Sequence, residues 1–351
     1  MYTLLVDASY LFKKSFLGGK NIYSKGKSIG GLYVFYNSLR KLYLKFPINK
    51  TILMWDGENS GKKRYYIYEG YKANRESKSW YNRITLTEKQ VDYEENAEES
   101  ALWQKVRIQQ YAEELFMRQI MVHEIEGDDL IAYYCLNKKE NENVLIYTND
   151  RDFSQLLSIN NVSIYFDNLD SLVDQLTFEI YFNFHYKNAL TLKILCGDNS
   201  DNINGIERLG EDTLLKYFPE LKERYVMVNE IMKRSFEINE EREKNKKGRL
   251  KVLDNIINGR EIFIRNKKLM DLHRPFVNDE VKKLHKELYY PMNPDDRGSK
   301  NLISYINEDG FLDHFYKYNF SEFFKPFFTS ITDEIKFYND VKKNNIIRRK
   351  I

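Results

Sequence analysis

Short apolar runs rich in β-branched and aromatic residues recur along the first half of the chain: YTLLV at 2–6, TILMW at 51–55 and VLIYT at 144–148. Between them lie stretches whose apolar positions return every three or four residues, such as GLYVFYNSLRKLYLKF at 31–46. The first pattern predicts strands and the second helices. Their alternation predicts an α/β fold with a mostly parallel central sheet flanked by helices. Each run ends in acid: Asp7 and Asp56 follow the first two directly, and Asp150, then Asp152, stand just past the third. In an open parallel sheet, residues at the carboxyl ends of neighbouring strands share one crevice.

Two further segments add carboxylates. EGDDLIAYY opens a helical pattern with Glu126, Asp128 and Asp129, and ILCGDNSDNINGIERLG at 194–210 breaks an apolar run with Asp198 and Asp201. Capping explains any one such acid, since helix N-termini favour negative charge. It does not explain Asp7, Asp56, Glu126, Asp128, Asp150, Asp152, Asp198 and Asp201 together, because crowded like charges resist ionisation unless a cation neutralises them. An EF-hand starting at Asp198 fails, with Ile203 where glycine is needed and Leu209 where glutamate is needed. Hard oxygen ligands without clustered His or Cys point to Mg2+, with Mn2+ able to substitute. So many acids suit two ions roughly 3.5 to 4 Å apart, one activating water and the other stabilising a leaving oxygen, which is metal-assisted phosphodiester hydrolysis.

A chain of 351 residues exceeds the roughly 250 to 300 at which single cores stop growing, so at least two structural units are expected. Net charge is only +3, but it is distributed in blocks: basic over 62–89, acidic over 92–99, and basic again in REKNKKGRLK at 242–251 and REIFIRNKK at 260–268. Each block suits a solvated helix face; together the basic ones suit a nucleic-acid surface. Cys135 and Cys196 stand alone in apolar stretches, as buried free thiols rather than a disulfide or zinc site. No run approaches the about 18 apolar residues of a membrane span, and MYTLLVDASY has no leader character, so a cytoplasmic protein is expected.

The ordered set LLVDASYLF, GGLYVF, ILMWDG, YEGYKANR, EGDDLIAY, TNDRDFSQLL and LCGDNSDNINGI, spread over residues 3–275, resembles the 5′-nuclease family: flap endonucleases, phage 5′-3′ exonucleases and phage ribonuclease H, and the 5′-nuclease domain of DNA polymerase I. The phage-type members look most similar, and a composition rich in Lys, Asn, Ile and Tyr suits an A·T-rich phage genome. The resemblance implies a PIN-like nuclease core over 1–185 with a helical arch at about 72–118, a helical helix-three-turn-helix DNA-binding unit over 186–275, and an extension over 276–351 of unassigned role. It implies a structure-specific 5′-nuclease that removes RNA primers or 5′ flaps during replication. Asp7, Asp56, Glu126 and Asp128 would serve mainly the first ion and Asp150, Asp152, Asp198 and Asp201 would form or support the second, with Asp129 at an acidic family position as a further metal ligand or a group supporting one. Asp128 and Asp150 are the central catalytic acids in this reading. Lys72 would contact the scissile phosphate, Tyr71 would stack on a terminal base or simply pack, and Arg75 would hold a neighbouring phosphate or lie on a solvated helix face.

NINGIERLGEDTLLKYF resembles the family's loop at a duplex phosphate, with Gly205 and Gly210 allowing close backbone approach and a monovalent cation bound nearby. The chain departs from the family pattern in Arg208, where Gly is common, and Asp212, where Lys is common; Lys216 would supply the missing cation. DYEENAEES at 92–100 either orders on substrate or opens the helix through ALWQKVRIQQYAEELF, where the dipole accommodates acids. The aromatics beyond 276, including Phe315, Tyr316, Phe323, Phe324, Phe327 and Phe328, are expected to cover the core, and KKNNIIRRKI at the end to be disordered. Expected partners are branched or 5′-ended DNA, RNA/DNA duplex and replication proteins such as a single-strand-binding protein, around a monomeric enzyme. A toxin-like PIN ribonuclease would lack residues 186–275, and a DNA-binding protein with a dead site would not keep every acid.

Overall fold

A computed structural model describes residues 1–19, 21–73, 97–313 and 319–348, with side chains to 343. Six strands form the main sheet: β1 Tyr2–Asp7, β2 Ile48–Trp55, β3 Arg118–Met121, β4 Asn143–Thr148, β5 Val162–Phe166 and β6 Ser171–Val173. Their spatial order is β3-β2-β1-β4-β5-β6, all neighbours parallel except the antiparallel β5–β6 pair at one edge. The expected strands are β1, β2 and β4, and they lie side by side at the centre. Their register sets Val6 opposite both Leu53 and Tyr147, so the three chains leave the sheet along one edge.

Side chains alternate across the sheet and both faces are dry. Leu5, Ile52, Met54, Val144 and Ile146 face the layer of α5 (Gly127–Asn137). Leu4, Val6, Leu53, Trp55, Leu145 and Tyr147 face α1 (Ala8–Gly18), α2 (Gly30–Lys45) and α4 (Ala97–Glu114). In α2, Leu32, Phe35, Tyr36, Leu39 and Leu42 are buried at the spacing of one helical face. Each such burial contributes about 1.5–3 kcal/mol. α4 begins at Ala97 with Glu98 and Glu99 in its first turn, the helix-opening alternative for those two acids; Glu94 and Glu95 lie outside the described residues.

Beyond the sheet come α6 (Ala189–Cys196), a hairpin of Gly197–Asp198 with Ile203–Asn204, α7 (Glu211–Tyr217), α8 (Val228–Lys244), α9 (Lys251–Ile257) and α10 (Arg260–Met270). Leu195, Leu214, Ile231, Leu253 and Phe263 from these elements join the same buried cluster as Ile146 and Phe153. The C-terminal residues close the opposite face: Phe323, Phe324 and Phe327 are buried against α2, as expected, with Phe311 beside them; Phe328 is corrected, since it opens the last helix with its ring exposed, and Phe315 and Tyr316 lie outside the described residues. The last helix runs Phe328–Arg348, so the expected disorder from residue 342 is corrected as far as Arg348. This helix is fixed to strand β3 by Arg118, which reaches Glu334 at 2.7 and 3.0 Å. Cys135 and Cys196 are free thiols. No helix among the described residues is long and apolar enough to cross a membrane.

Candidate active site

The crevice lies where β1, β2 and β4 end. Asp7 caps α1 by accepting the Tyr10 N–H at 3.0 Å on Oδ1, and its Oδ2 accepts the Thr148 hydroxyl at 3.2 Å. Asp56 leaves β2 and accepts the Gly127 N–H at 2.7 Å, which ties it to the start of α5 and to Asp128. Asp150 accepts the Asp152 N–H at 2.8 Å and caps the helical turn Arg151–Ser158. The capping explanation therefore holds for Asp7 and Asp150, and the same caps aim them into the crevice.

Electrostatics show how close these acids are. Burial, then Asp56 and Asp150, push the Asp7 carboxyl up to about 7. Burial, then Asp150, Asp7, Glu126 and Asp56, raise Asp128 well above the ordinary carboxyl range. Burial and Asp150 likewise push Asp152 up to about 7, against the pull of Lys193. Asp150 thus belongs to both halves of the crevice. As placed, no three of these acids among the described residues close on a single ion. The fit to a metal lies in the donor chemistry: carboxylate oxygens packed until their own repulsion disfavours their charge.

Two cations that sequence reasoning missed divide the remaining acids. Arg64 is buried at 6% exposure and reaches Glu126 at 2.7 Å and both oxygens of Asp129 at 2.7 and 3.0 Å. Its Nε donates to the Leu269 carbonyl at 2.9 Å. Asp129 therefore stands in a structural ion pair, turned from the other aspartates. In sequence, Arg64 cannot be told from the adjoining Lys62 and Lys63. Lys193 lies 2.6 Å from Asp152 and 2.6 Å from Asp198. Burial opposes the Asp198 charge, but Lys193 and Ser200 outweigh it and hold that carboxyl at about 2. Its sequence signal was a lone lysine inside the apolar run ALTLKILC.

The YEGYK segment is fastened over this site. The Lys72 N–H donates to the Asp201 carbonyl at 2.8 Å, and the Asn202 side chain donates to the Gly70 carbonyl at 2.7 Å. Lys72 has a left-handed backbone, φ 54°, and its ammonium meets Glu126 at 2.5 Å. Burial opposes the Glu126 charge, but Arg64 and Lys72 hold its carboxyl below the usual range. Tyr71 is 5% exposed, with its hydroxyl donating to Glu126 at 3.0 Å. The expectation of a ring free to stack on a base is corrected: here Tyr71 packs. Arg75 and the rest of 74–96 within the expected arch lie outside the described residues.

On the other flank, Gly197 (φ 75°) and Gly205 form the turn before α7, and a Cβ on Gly205 would sit 2.1 Å from the Cys196 backbone. Only glycine allows that crossing. A Cβ at Gly210 would meet nothing within 4 Å, so the backbone entering α7 is open to solvent. Asp212 and Lys216 are exposed on α7. Arg208 holds φ 65°, the left-handed region that glycine favours. Arg151 pairs with Glu211 at 2.5 Å across the cavity of about 740 Å³ between this loop and Asp152. The basic segment 260–268 is split: Arg265 turns to the Asn204 carbonyl and the Tyr68 ring, whereas Arg260 and Lys267 line a groove elsewhere, so the segment does not continue one surface as expected.

The family model of the 5′-3′ exonuclease N-terminal resolvase-like domain matches residues 2–183. A 5′-3′ exonuclease of Buchnera aphidicola subsp. Baizongia pistaciae (strain Bp) is 27% identical over 238 residues, covering 66% of this chain and 71% of that protein. The thermostable DNA polymerase I of Thermus caldophilus is 27% identical over 221 residues, covering 62% of this chain and 24% of the polymerase. The solved T5 5′-exonuclease with bound divalent zinc ions shares the fold, with a TM-score of 0.62 at 20% identity over 82% of this chain and 98% of that one.

Proposed function

The chain belongs to the 5′-3′ exonuclease family through its N-terminal resolvase-like domain, and from that premise we propose that the acidic crevice hydrolyses phosphodiester bonds at the 5′ ends and flaps of branched DNA or RNA/DNA duplex. Removal of primers or flaps during replication is the role that fits such substrates. The observation that carries the reading is the mutual repulsion of Asp7, Asp56, Asp128 and Asp150, which converge on one crevice with Asp7 buried, Asp128 half-buried and Asp56 and Asp150 open to solvent. Such crowding is costly for the protein alone and favourable beside divalent cations.

Asp7, Asp56 and Asp128 would hold a first Mg2+, and Asp150 with Asp152 would hold or support a second, with Mn2+ able to replace either. When bound, such ions supply an activated water and charge stabilisation at the leaving oxygen. The side chains do the rest. Glu126, held between Arg64 and Lys72, positions the Lys72 ammonium at the crevice wall. A scissile phosphate there would draw Lys72 away from Glu126 as negative charge develops. Lys193 would balance Asp152 and Asp198. Asp201, through its carbonyl, would hold the Lys72 backbone. Gly205 and Gly210 would bring the loop backbone against the duplex, with Lys216 beside it and a monovalent cation at the loop.

The test is cleavage of a 5′-labelled flap and of an RNA/DNA duplex with Mg2+ and with EDTA. The expected result is release of short 5′ products that EDTA stops. Binding without cleavage at any Mg2+ or Mn2+ concentration would overturn the assignment in favour of an architectural DNA-binding role.

A further inference from the structure

Helix α6 has two working faces. Leu192, Lys193 and Cys196 look towards the crevice side, while Leu190, Thr191 and Ile194, about half a turn round, form part of a separate groove of about 870 Å³. The walls of that groove are α8, with Val228 and Met232, and α10, with Arg260, Phe263, Ile264 and Lys267. Positions 260, 263, 264 and 267 fall on one stripe of a helix, opposite the Arg265 that serves the crevice side.

The groove combines an apolar floor with a cationic rim. Tyr225, Met227 and Ile264 are about half exposed, at 49%, 58% and 50%, which is unusual for a contiguous patch. Lys187, Arg260 and Lys267 are exposed around it, and none of the described residues that line it is an acid. Beside the groove, Asp271 accepts the His273 N–H at 3.0 Å and pairs with that imidazole at 3.6 Å. The imidazole is held from its other side by Ser158 at 2.8 Å.

We propose that this groove docks a partner protein through a short acidic segment carrying aliphatic or aromatic anchor side chains. Apolar anchors would fill the floor between α8 and α10, and flanking carboxylates would meet Arg260, Lys267 and Lys187, a helix-in-groove arrangement with charge complementarity. Single-stranded nucleic acid would use the cations but waste most of the floor, where Tyr225 alone among the described lining residues offers an exposed aromatic plane and Met227 and Ile264 offer none. Duplex held by the Gly205–Gly210 loop would lie across the other face of α6.

A phage-displayed library of random twelve-residue peptides, panned on the full chain, tests the proposal. The enriched peptides should pair acids with Leu, Ile, Phe or Trp. A fluorescein-labelled consensus peptide should bind with a micromolar Kd by anisotropy. Arg260→Glu with Lys267→Glu should weaken it at least tenfold, as should Ile264→Glu, and both variants should keep wild-type melting temperature and flap cleavage within twofold. No enrichment, enriched peptides without acids, or binding indifferent to both variants would overturn it. So would a tenfold loss of duplex affinity in the charge-reversed variant, which gives the groove to nucleic acid. A dimer in sedimentation that Ile264→Glu dissolves would give it to a second copy and overturn it equally.

Discussion

Arg64 and Asp129 form a two-pronged ion pair, 2.7 and 3.0 Å, with both side chains almost wholly buried. Removing Asp129 leaves the buried Arg64 guanidinium with Glu126 at 2.7 Å, so the about 3–5 kcal/mol typical of a broken buried pair is an upper bound. Asp129→Ala should therefore lower stability by up to that amount in urea unfolding and leave the Mg2+ stoichiometry of the folded protein unchanged in calorimetry. Loss of one bound ion with stability intact would return Asp129 to the metal ligands.

Asp128 should behave in the opposite way. Burial, then its neighbours Asp150, Asp7, Glu126 and Asp56, disfavour its charge, so Asp128→Asn relieves repulsion in the metal-free protein. In EDTA the variant should be more stable than the parent. Added Mg2+ should raise the parent's melting temperature more than that of the variant, which keeps only the second site, and restore no flap cleavage to the variant, while DNA affinity persists. A variant less stable in EDTA would show that the acids do not crowd as the structure places them.

The central sheet and its acids were legible because strand runs ending in Asp7, Asp56 and Asp150 carry their own pattern. β3 was not, since RQIM is too short to show alternation. The cations that sort the acids were also hidden. Arg64 sits in a basic run that reads as surface, and its partner Asp129 reads as an ordinary first-turn acid; only the approach of α10, through the Leu269 carbonyl, buries them together. Tyr71 misled for the same reason: its motif gives no sign that Glu126, 55 positions on, accepts its hydroxyl.

Glu142 gives a pH test away from the crevice. It accepts from Thr3, Tyr134 and Lys50 at 2.5, 2.6 and 3.1 Å. Burial works against its charge, but Lys50 and these donors bring its carboxyl from 4.5 down to about 2. A depressed carboxyl stabilises the fold above its unfolded value, and that contribution is lost as pH falls from about 4.5 to about 2. The upper bound is about 3 kcal/mol, reduced because burial disfavours Lys50 as a cation. Glu142→Gln should be less stable than the parent at pH 7 by up to this amount, and the gap should close between pH 5 and pH 2.5. A gap constant with pH would deny the linkage.

Arg208 occupies a left-handed backbone, φ 65°, with its side chain exposed. A Cβ there costs about 1 kcal/mol. Arg208→Gly should exceed Arg208→Ala in stability by about that amount, offset in part by the extra freedom of glycine in the unfolded chain. Thermal melts of the two variants decide it, and an alanine variant at least as stable as the glycine one would show that the loop relaxes out of this conformation.

The neighbouring Asp212 tests whether the loop holds a duplex at all. The backbone at Gly210 is open and α7 begins beside it with Glu211 and Asp212 in its first turn. A phosphate approaching those N–H groups meets the Asp212 charge at close range, and Lys216, one turn on and exposed, is positioned to offset it. Asp212→Lys should tighten binding of duplex-containing substrates and steepen the dependence of log affinity on log salt by up to about one phosphate contact. Lys216→Ala should weaken binding and flatten that slope, with single-turnover cleavage of bound substrate unchanged, because neither residue reaches the acids of the crevice. Anisotropy titrations from low to moderate salt measure both. If neither affinity nor slope moves in either variant, the duplex lies elsewhere, and the basic stretch at 242–251 must hold it instead.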